Sequence, residues 1–166
     1  MSQKKIRMNK KVLDQIVLKE TIESLRKAGK KIVFTNGVFD ILHVGHLSLL
    51  EKAKTFGDVL VVGVNSDLSV KAIKGESRPI NNQNDRTCLL AGFEVVDYIT
   101  VFEEQTPCEI ISYLTPNIHV KGGDYNPDDF ENMPEAKIVK GYGGEIKIIN
   151  IIPGKSSTDL ITKMSS

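Results

Sequence analysis

The stretch Ile32-Val33-Phe34-Thr35-Asn36-Gly37-Val38-Phe39-Asp40-Ile41-Leu42-His43-Val44-Gly45-His46 decides how the rest of the chain is read. An apolar run of strand length ends in a turn that carries a glycine, and Leu47-Ser48-Leu49-Leu50 continues it as a helical pattern. The order predicts a buried strand, a turn, and a helix that begins near Val44. Such a helix would turn backbone N–H groups and the positive end of its dipole toward the strand's end, which suits a phosphate. His43 would lie just before the helix and His46 in its first turn, both within reach of one anion. Gly45 between them leaves room for a phosphate or base to come close. By spacing alone three readings of the pair stay open: an anion site, packed or capping histidines, and metal ligands together with Asp40. The order of strand, turn, paired histidines and helix favours the anion.

Outward from this stretch, β-rich runs alternate with helical patterns. Strands are expected at Lys31 to Thr35, Val59 to Asn65, Tyr98 to Phe102, Ile118 to Lys121 and Glu145 to Asn150. Helices are expected at Gly45 to Phe56, Gln83 to Gly92, Thr106 to Leu114, Pro134 to Gly141 and Ser157 to Met164. Asn9 to Ala28 reads as one or two further amphipathic helices, stopped at Gly29. The chain divides into residues 1–29, a polar tail expected to be disordered over residues 1–8 followed by a helical extension, and residues 30–166, one α/β domain. The alternation predicts a Rossmann-like, doubly wound sheet of about five parallel strands with helices on both faces. In such sheets ligands bind beyond the carboxyl ends of the strands, near the point where strand order reverses.

Composition excludes several classes. With 22 Lys and Arg against 21 Asp and Glu, the net charge of +1 gives no global attraction to nucleic acid or to an acidic membrane, so any anion site must be local. Cys88 and Cys108 have no metal-type spacing, there is no signal-peptide pattern, and no apolar run reaches the ~20 residues of a membrane span. A reduced, cytoplasmic protein is expected. The absence of a G-x-x-x-x-G-K-[ST] run argues against a P-loop kinase.

The other strand ends also carry polar residues. After the second strand come Asn65, Ser66 and Asp67, then Lys71, Lys74, Gly75, Arg78, Pro79 and Arg86, read as a mobile basic loop able to grip phosphates or else as a solvated charged loop. After the fourth come Lys121, Gly122, Gly123, Asp124 and Tyr125. There the glycines permit unusual torsions, Lys121 can meet a phosphate, and Asp124 can accept from a sugar hydroxyl or hold a cation. Ser156, Ser157 and Thr158 precede the last helix as N-cap hydroxyls. Tyr98, Phe102, Cys88, Cys108 and His119 read as filling, with no role assigned.

Gly37-Val38-Phe39-Asp40 followed by His43-Val44-Gly45-His46 resembles the two linked motifs of the cytidylyltransferase-like nucleotidyltransferases. The run from Asn65 to Arg86 and the Lys121-Gly122-Gly123-Asp124-Tyr125 segment resemble, more narrowly, the heptose 1-phosphate adenylyltransferases of lipopolysaccharide precursor synthesis. The resemblance implies transfer of AMP from ATP to D-glycero-β-D-manno-heptose 1-phosphate, with release of pyrophosphate. It implies His43, His46, Lys74 and Arg86 as catalytic residues. Thr35, Asn36, Gly37, Phe39, Asp40, Gly45, Lys121, Ser156, Ser157 and Thr158 would then line the nucleotide, and Asn65, Asp67, Arg78, Gly122, Gly123 and Asp124 the sugar phosphate. Mg²⁺ would ride on the triphosphate, with no metal ligands assigned in the protein. A homodimer is implied, fed by a separate sugar kinase, with neither nucleic acid nor membrane as partner. The chain departs from the pattern at Ser157, where the hydroxyl motif has Thr, and at Lys155, where it has Cys or Ile. The arginine that glycerol phosphate cytidylyltransferases carry just upstream is missing too, which weighs against glycerol phosphate. Other phosphate acceptors, CTP as the nucleotide, and a nucleotide-binding module without turnover remain as alternatives.

Overall fold

The structure is a computed structural model that describes residues 10–150 and 156–165. The tail expected over residues 1–8, and Lys155, lie outside the described residues. Five strands, β1 (Ile32–Gly37), β2 (Val59–Asn65), β3 (Tyr98–Phe102), β4 (Ile118–Gly122) and β5 (Glu145–Ile149), form one wholly parallel sheet in the order β3-β2-β1-β4-β5. Strand order therefore reverses between β1 and β4, with Phe34 opposite His119 and Thr35 opposite Val120. All five expected strands are present, each within two residues of its expected bounds.

The helices are α1 (Gln15–Lys27), α2 (Val44–Lys54), α3 (Asp67–Lys74), α4 (Gln83–Ala91), α5 (Cys108–Leu114), α6 (Pro127–Asn132), α7 (Pro134–Gly141) and α8 (Ser157–Met164). Strand alternation sorts the core into two layers. Val33, Leu60, Val62, Val64, Ile118 and Val120 pack with Leu50 and Ala53 of α2 and Leu90 and Ala91 of α4. Ile32, Phe34, Val59 and Val61 pack on the other face with Leu18 and Ile22 of α1, Ile110, Ile111 and Leu114 of α5, and Val139 of α7. β2 is buried along its whole length, as a central parallel strand covered on both faces should be.

α1 packs into this core. Asp14 caps it by accepting the Val17 N–H, Leu18 and Ile22 sit one turn apart on the buried face, and Gly29 ends it at φ +78°. The second helix allowed for in this region is absent among the described residues: Val12 instead bridges Ile99 in parallel, and the Leu13 N–H donates to the Ile99 carbonyl. The outer edge of β3 is thereby partly covered.

Two helices were not expected, α3 and α6. Lys71 and Lys74, read as part of a mobile basic loop, stand instead on α3, which Ser66 caps through the Ser69 N–H and which buries Val70. The cluster of cations ending in Gly75 favoured a loop reading, while the Ser66 cap and buried Val70 make the segment helical. Among the described residues no helix is long and apolar enough to cross a membrane.

Candidate active site

The turn after β1 is held from three directions. Phe39 takes a left-handed conformation (φ +51°), costly for a bulky residue, and buries its ring 5.2 Å from that of His46. Asp40 follows, nearly sealed, and accepts from Arg78 Nε (2.7 Å) and from the backbone N–H groups of Ile80 (2.9 Å) and Asn81 (2.8 Å). Burial would raise the Asp40 carboxyl, but the Asn81 and Ile80 N–H groups and the Arg78 guanidinium outweigh it and hold it below the ordinary carboxylate range. Asn81 returns a bond from Nδ2 to the Asp40 carbonyl. Arg86, fully buried, spends its guanidinium on the carbonyls of Val38 (2.6 Å) and Asn81 (3.0 Å) and on Asp67 Oδ1 (2.8 Å). In this conformation Asp40, Asp67, Arg78 and Arg86 brace the turn.

The histidines are ordered by the start of α2. His43 is the N-cap, and its Nδ1 accepts the Gly45 N–H at 3.1 Å; the His43 N–H donates in turn to His46 Nδ1 at 3.4 Å. An imidazole nitrogen that accepts carries no proton, so the ring N–H of each histidine is placed on Nε2. The rings lie 3.9 Å apart between centroids at an interplanar angle of 31°. Burial, and then the neighbouring His43, push His46 down to about 4, so it is neutral at pH 7. The expectation of open N–H groups at the start of α2 is thus modified: His43 takes the Gly45 N–H, and half-buried Nε2–H donors stand at the same helix end.

The start of α8 reaches this turn. Ser157 Oγ donates to the Ile41 carbonyl at 2.9 Å, which docks the start of α8 on the turn across 116 residues of sequence. Ser156 Oγ accepts the Asp159 N–H as N-cap, and Thr158 is exposed. At the end of β4, Lys121 pairs with Glu135 of α7 at 2.6 Å, and its ammonium lies 5.4 Å from the Tyr125 ring centre. Burial would raise the Glu135 carboxyl, but the hydrogen bond and charge of Lys121, with the Glu135 backbone N–H, together outweigh it and hold it below the ordinary carboxylate range. Gly122 and buried Gly123 follow, the latter at φ +150° against the Tyr125 ring, and Asp124 is exposed. Asn65 is buried at the end of β2, donating to Ser69 Oγ (2.9 Å) and the Glu104 carbonyl (3.4 Å). Thr35 is sealed in β1, its hydroxyl without a partner among the described residues. Lys74 is exposed on α3, and no contact joins it to the histidines among the described residues.

His119, read as filling, is fully buried in β4 with Nε2 3.1 Å from Asn36 Oδ1. Desolvation above all, and then Lys121, hold it near 4. Strand alternation could have flagged it, since it shares a face with Lys121 beside the point where strand order reverses.

Among the described residues no three His, Cys, Asp or Glu side chains gather as a metal-ligand set. The model of the cytidylyltransferase-like family matches residues 34–163. The chain belongs to that family. Among its relatives, the bifunctional protein HldE of Pelobacter propionicus is 45% identical over 154 residues, 93% of this chain, and that of Nitratiruptor sp. is 52% identical over 144 residues, 87% of this chain. The chain spans only about three tenths of the length of these relatives, 31% and 30%. Among solved structures, a lipopolysaccharide core biosynthesis protein from Thermoplasma volcanium superposes with a TM-score of 0.60 at 33% identity, covering 75% of this chain and 98% of that one. A pantoate-β-alanine ligase from Francisella tularensis gives 0.58 at 18% identity, covering 93% of this chain and 76% of that one, a likeness of fold alone.

Proposed function

We propose that this member of the cytidylyltransferase-like family is a sugar-phosphate adenylyltransferase, joining ATP to D-glycero-β-D-manno-heptose 1-phosphate to give ADP-heptose and pyrophosphate. The observation that carries the chemistry is the His43–His46 pair, stacked at the start of α2 with a ring N–H on each Nε2. The sugar rests on the Asn65 to Arg86 run, the Lys121 to Tyr125 segment and the likeness to HldE.

A sugar-phosphate oxygen attacks the α-phosphorus of ATP in line, the bond to the bridging oxygen breaks, and pyrophosphate leaves. No protein nucleophile is needed, so the residues act by positioning and by stabilising charge. His43 and His46 would donate from Nε2 to the α-phosphate oxygens as charge gathers there. Neutral at pH 7, His46 gives up no proton to bind and keeps its donor on a fixed nitrogen. Lys74, exposed on α3, would reach the phosphates once substrate is bound, and Arg86 would act by holding the turn that seats the histidines. The hydroxyls of Ser156, Ser157 and Thr158 would meet the nucleotide phosphates at the start of α8, while Asn65 and Asp124 would meet the sugar.

The acids of the turn suit this reading better than a protein-built metal site. Asp40 and Asp67 are already engaged by Arg78 and Arg86. A Mg²⁺ carried by the triphosphate oxygens would neutralise the charge of the departing pyrophosphate. The test is pyrophosphate release from ATP, CTP and GTP, each paired with heptose 1-phosphate, other sugar phosphates and glycerol phosphate. Release confined to ATP with heptose 1-phosphate is expected. Release with another pair would reassign the substrate, and release with none would leave a nucleotide-binding module.

A further inference from the structure

Asn36 and His119 meet across the seam between β1 and β4, where strand order reverses and a doubly wound sheet opens its ligand crevice. Both point to the α5 and α7 side of the sheet, since Phe34 and His119 share that face and Asn36 lies two residues beyond Phe34. His119 is fully buried, its Nε2 lies 3.1 Å from Asn36 Oδ1, and its Nδ1 has no partner among the described residues.

That unpaired nitrogen fixes the direction of the bond. A buried N–H without an acceptor is rarer in folded proteins than an acceptor left short, so the proton belongs on Nε2 and the bare lone pair on Nδ1. His119 then donates to Asn36, and the Asn36 oxygen is the end of the amide that faces the histidine. The amide's Nδ2 makes no hydrogen bond within the described residues, and Asn36 is half-buried where His119 is sealed. Its two N–H donors are what remains to meet a ligand. Two residues after His119 on the same face of β4 stands Lys121, its ammonium paired with Glu135 of α7. The Asn36 donor pair, with this ion pair beside it, matches a ligand rich in acceptors.

We propose that His119 is a positioning residue: it holds the Asn36 amide with its NH₂ end toward the crevice, so that Asn36 donates to a phosphate oxygen of the bound substrates. The inference deepens the adenylyltransferase reading and rests on it. The phosphate belongs either to the nucleotide or to the sugar phosphate, and the measurements separate the two.

The test is a double-mutant cycle on the full chain, with Asn36→Ala, His119→Leu and the pair, read as kcat and KM for each substrate and as ATP affinity by calorimetry. Asn36→Ala should lower kcat/KM by about 10-fold or more, as expected for a lost hydrogen bond to a charged group. His119→Leu should lower it several-fold, and the pair should be no worse than Asn36→Ala alone. His119→Gln, which can place an amide donor where Nε2 stands, should restore most of the activity. If His119→Leu does not fold, His119→Met takes its place in the cycle. A loss in ATP affinity assigns the contact to the nucleotide, and a loss confined to the KM of the sugar phosphate assigns it to the acceptor. Wild-type activity in the folded His119 variant, or a loss that adds in full to that of Asn36→Ala, overturns the inference and leaves the reading of function standing. A wild-type chain that neither binds ATP nor releases pyrophosphate overturns both.

Discussion

His46 and His119 are both held near 4, and in both burial is the main cause, yet they pack on opposite faces of the sheet, His46 against Phe39 and His119 against Phe34. His46 stands half-buried in the first turn of α2, against Phe39 and His43, with Nδ1 turned back to the protein's own backbone. His119 is sealed in β4 beside Phe34, and its one hydrogen bond goes to Asn36. A lowered pKa therefore marks burial in each case and does not by itself mark chemistry. What separates them is whether part of the ring remains open to a ligand. The helix start leaves that opening and the strand interior closes it.

The strongest challenge to this contrast is to loosen the turn that seats His46 while leaving His119 alone. Asp40→Ala removes the carboxylate that binds Arg78 and two backbone N–H groups, and it should cost about 3–5 kcal/mol in denaturant unfolding, as expected when one partner of a buried ion pair is deleted. A loss below about 1 kcal/mol would mean that the turn is held by other contacts. His46→Ala should leave unfolding nearly unchanged and lower kcat by roughly 10²–10³-fold, the usual cost of one preorganised donor. Near-normal turnover would place the chemistry elsewhere.

His119 should appear in the pH dependence of stability rather than directly in the chemical step. Its folded value near 4 lies below the ordinary 6.5, so the unfolded chain takes up a proton first as pH falls. The stability from keeping it neutral is complete above about pH 6.5 and is lost between about 6.5 and 4, by roughly 3 kcal/mol at the limit. His119→Leu should flatten that part of the curve, and an unchanged slope would show that the ring is solvated. The smallest effect is expected at Lys74, exposed on α3. Lys74→Ala should raise KM for the phosphate substrates a few-fold at unchanged melting temperature, which a salt titration of KM would track.

Much of this was legible in the sequence where one residue pattern had one physical meaning. The five strands followed from apolar runs punctuated by glycine, and the start of α2 from the order of strand, turn and histidines. α3 was hidden because Lys71, Lys74 and Gly75 read as a basic loop for phosphates, and only the fold shows Ser66 capping a helix there that buries Val70. The bracing roles of Asp40 and Arg86 were hidden for another reason. A charged side chain near a phosphate motif reads as a ligand contact, and only the fold shows that Arg86 is enclosed by Val38, Asn81 and Asp67. His119 looked like filling because its partner Asn36 lies 83 residues away in sequence.

Whether His46 presents a neutral Nε2–H donor to the nucleotide can be read most directly from NMR of its ring nitrogens during pH and ATP titrations. In the free protein Nδ1 should be bare and Nε2 protonated, with titration near 4. Adding ATP should shift the His46 resonances and raise its pKa, because a bound polyanion favours the charged ring. An Nδ1–H tautomer, or His46 resonances indifferent to saturating ATP, would contradict that role.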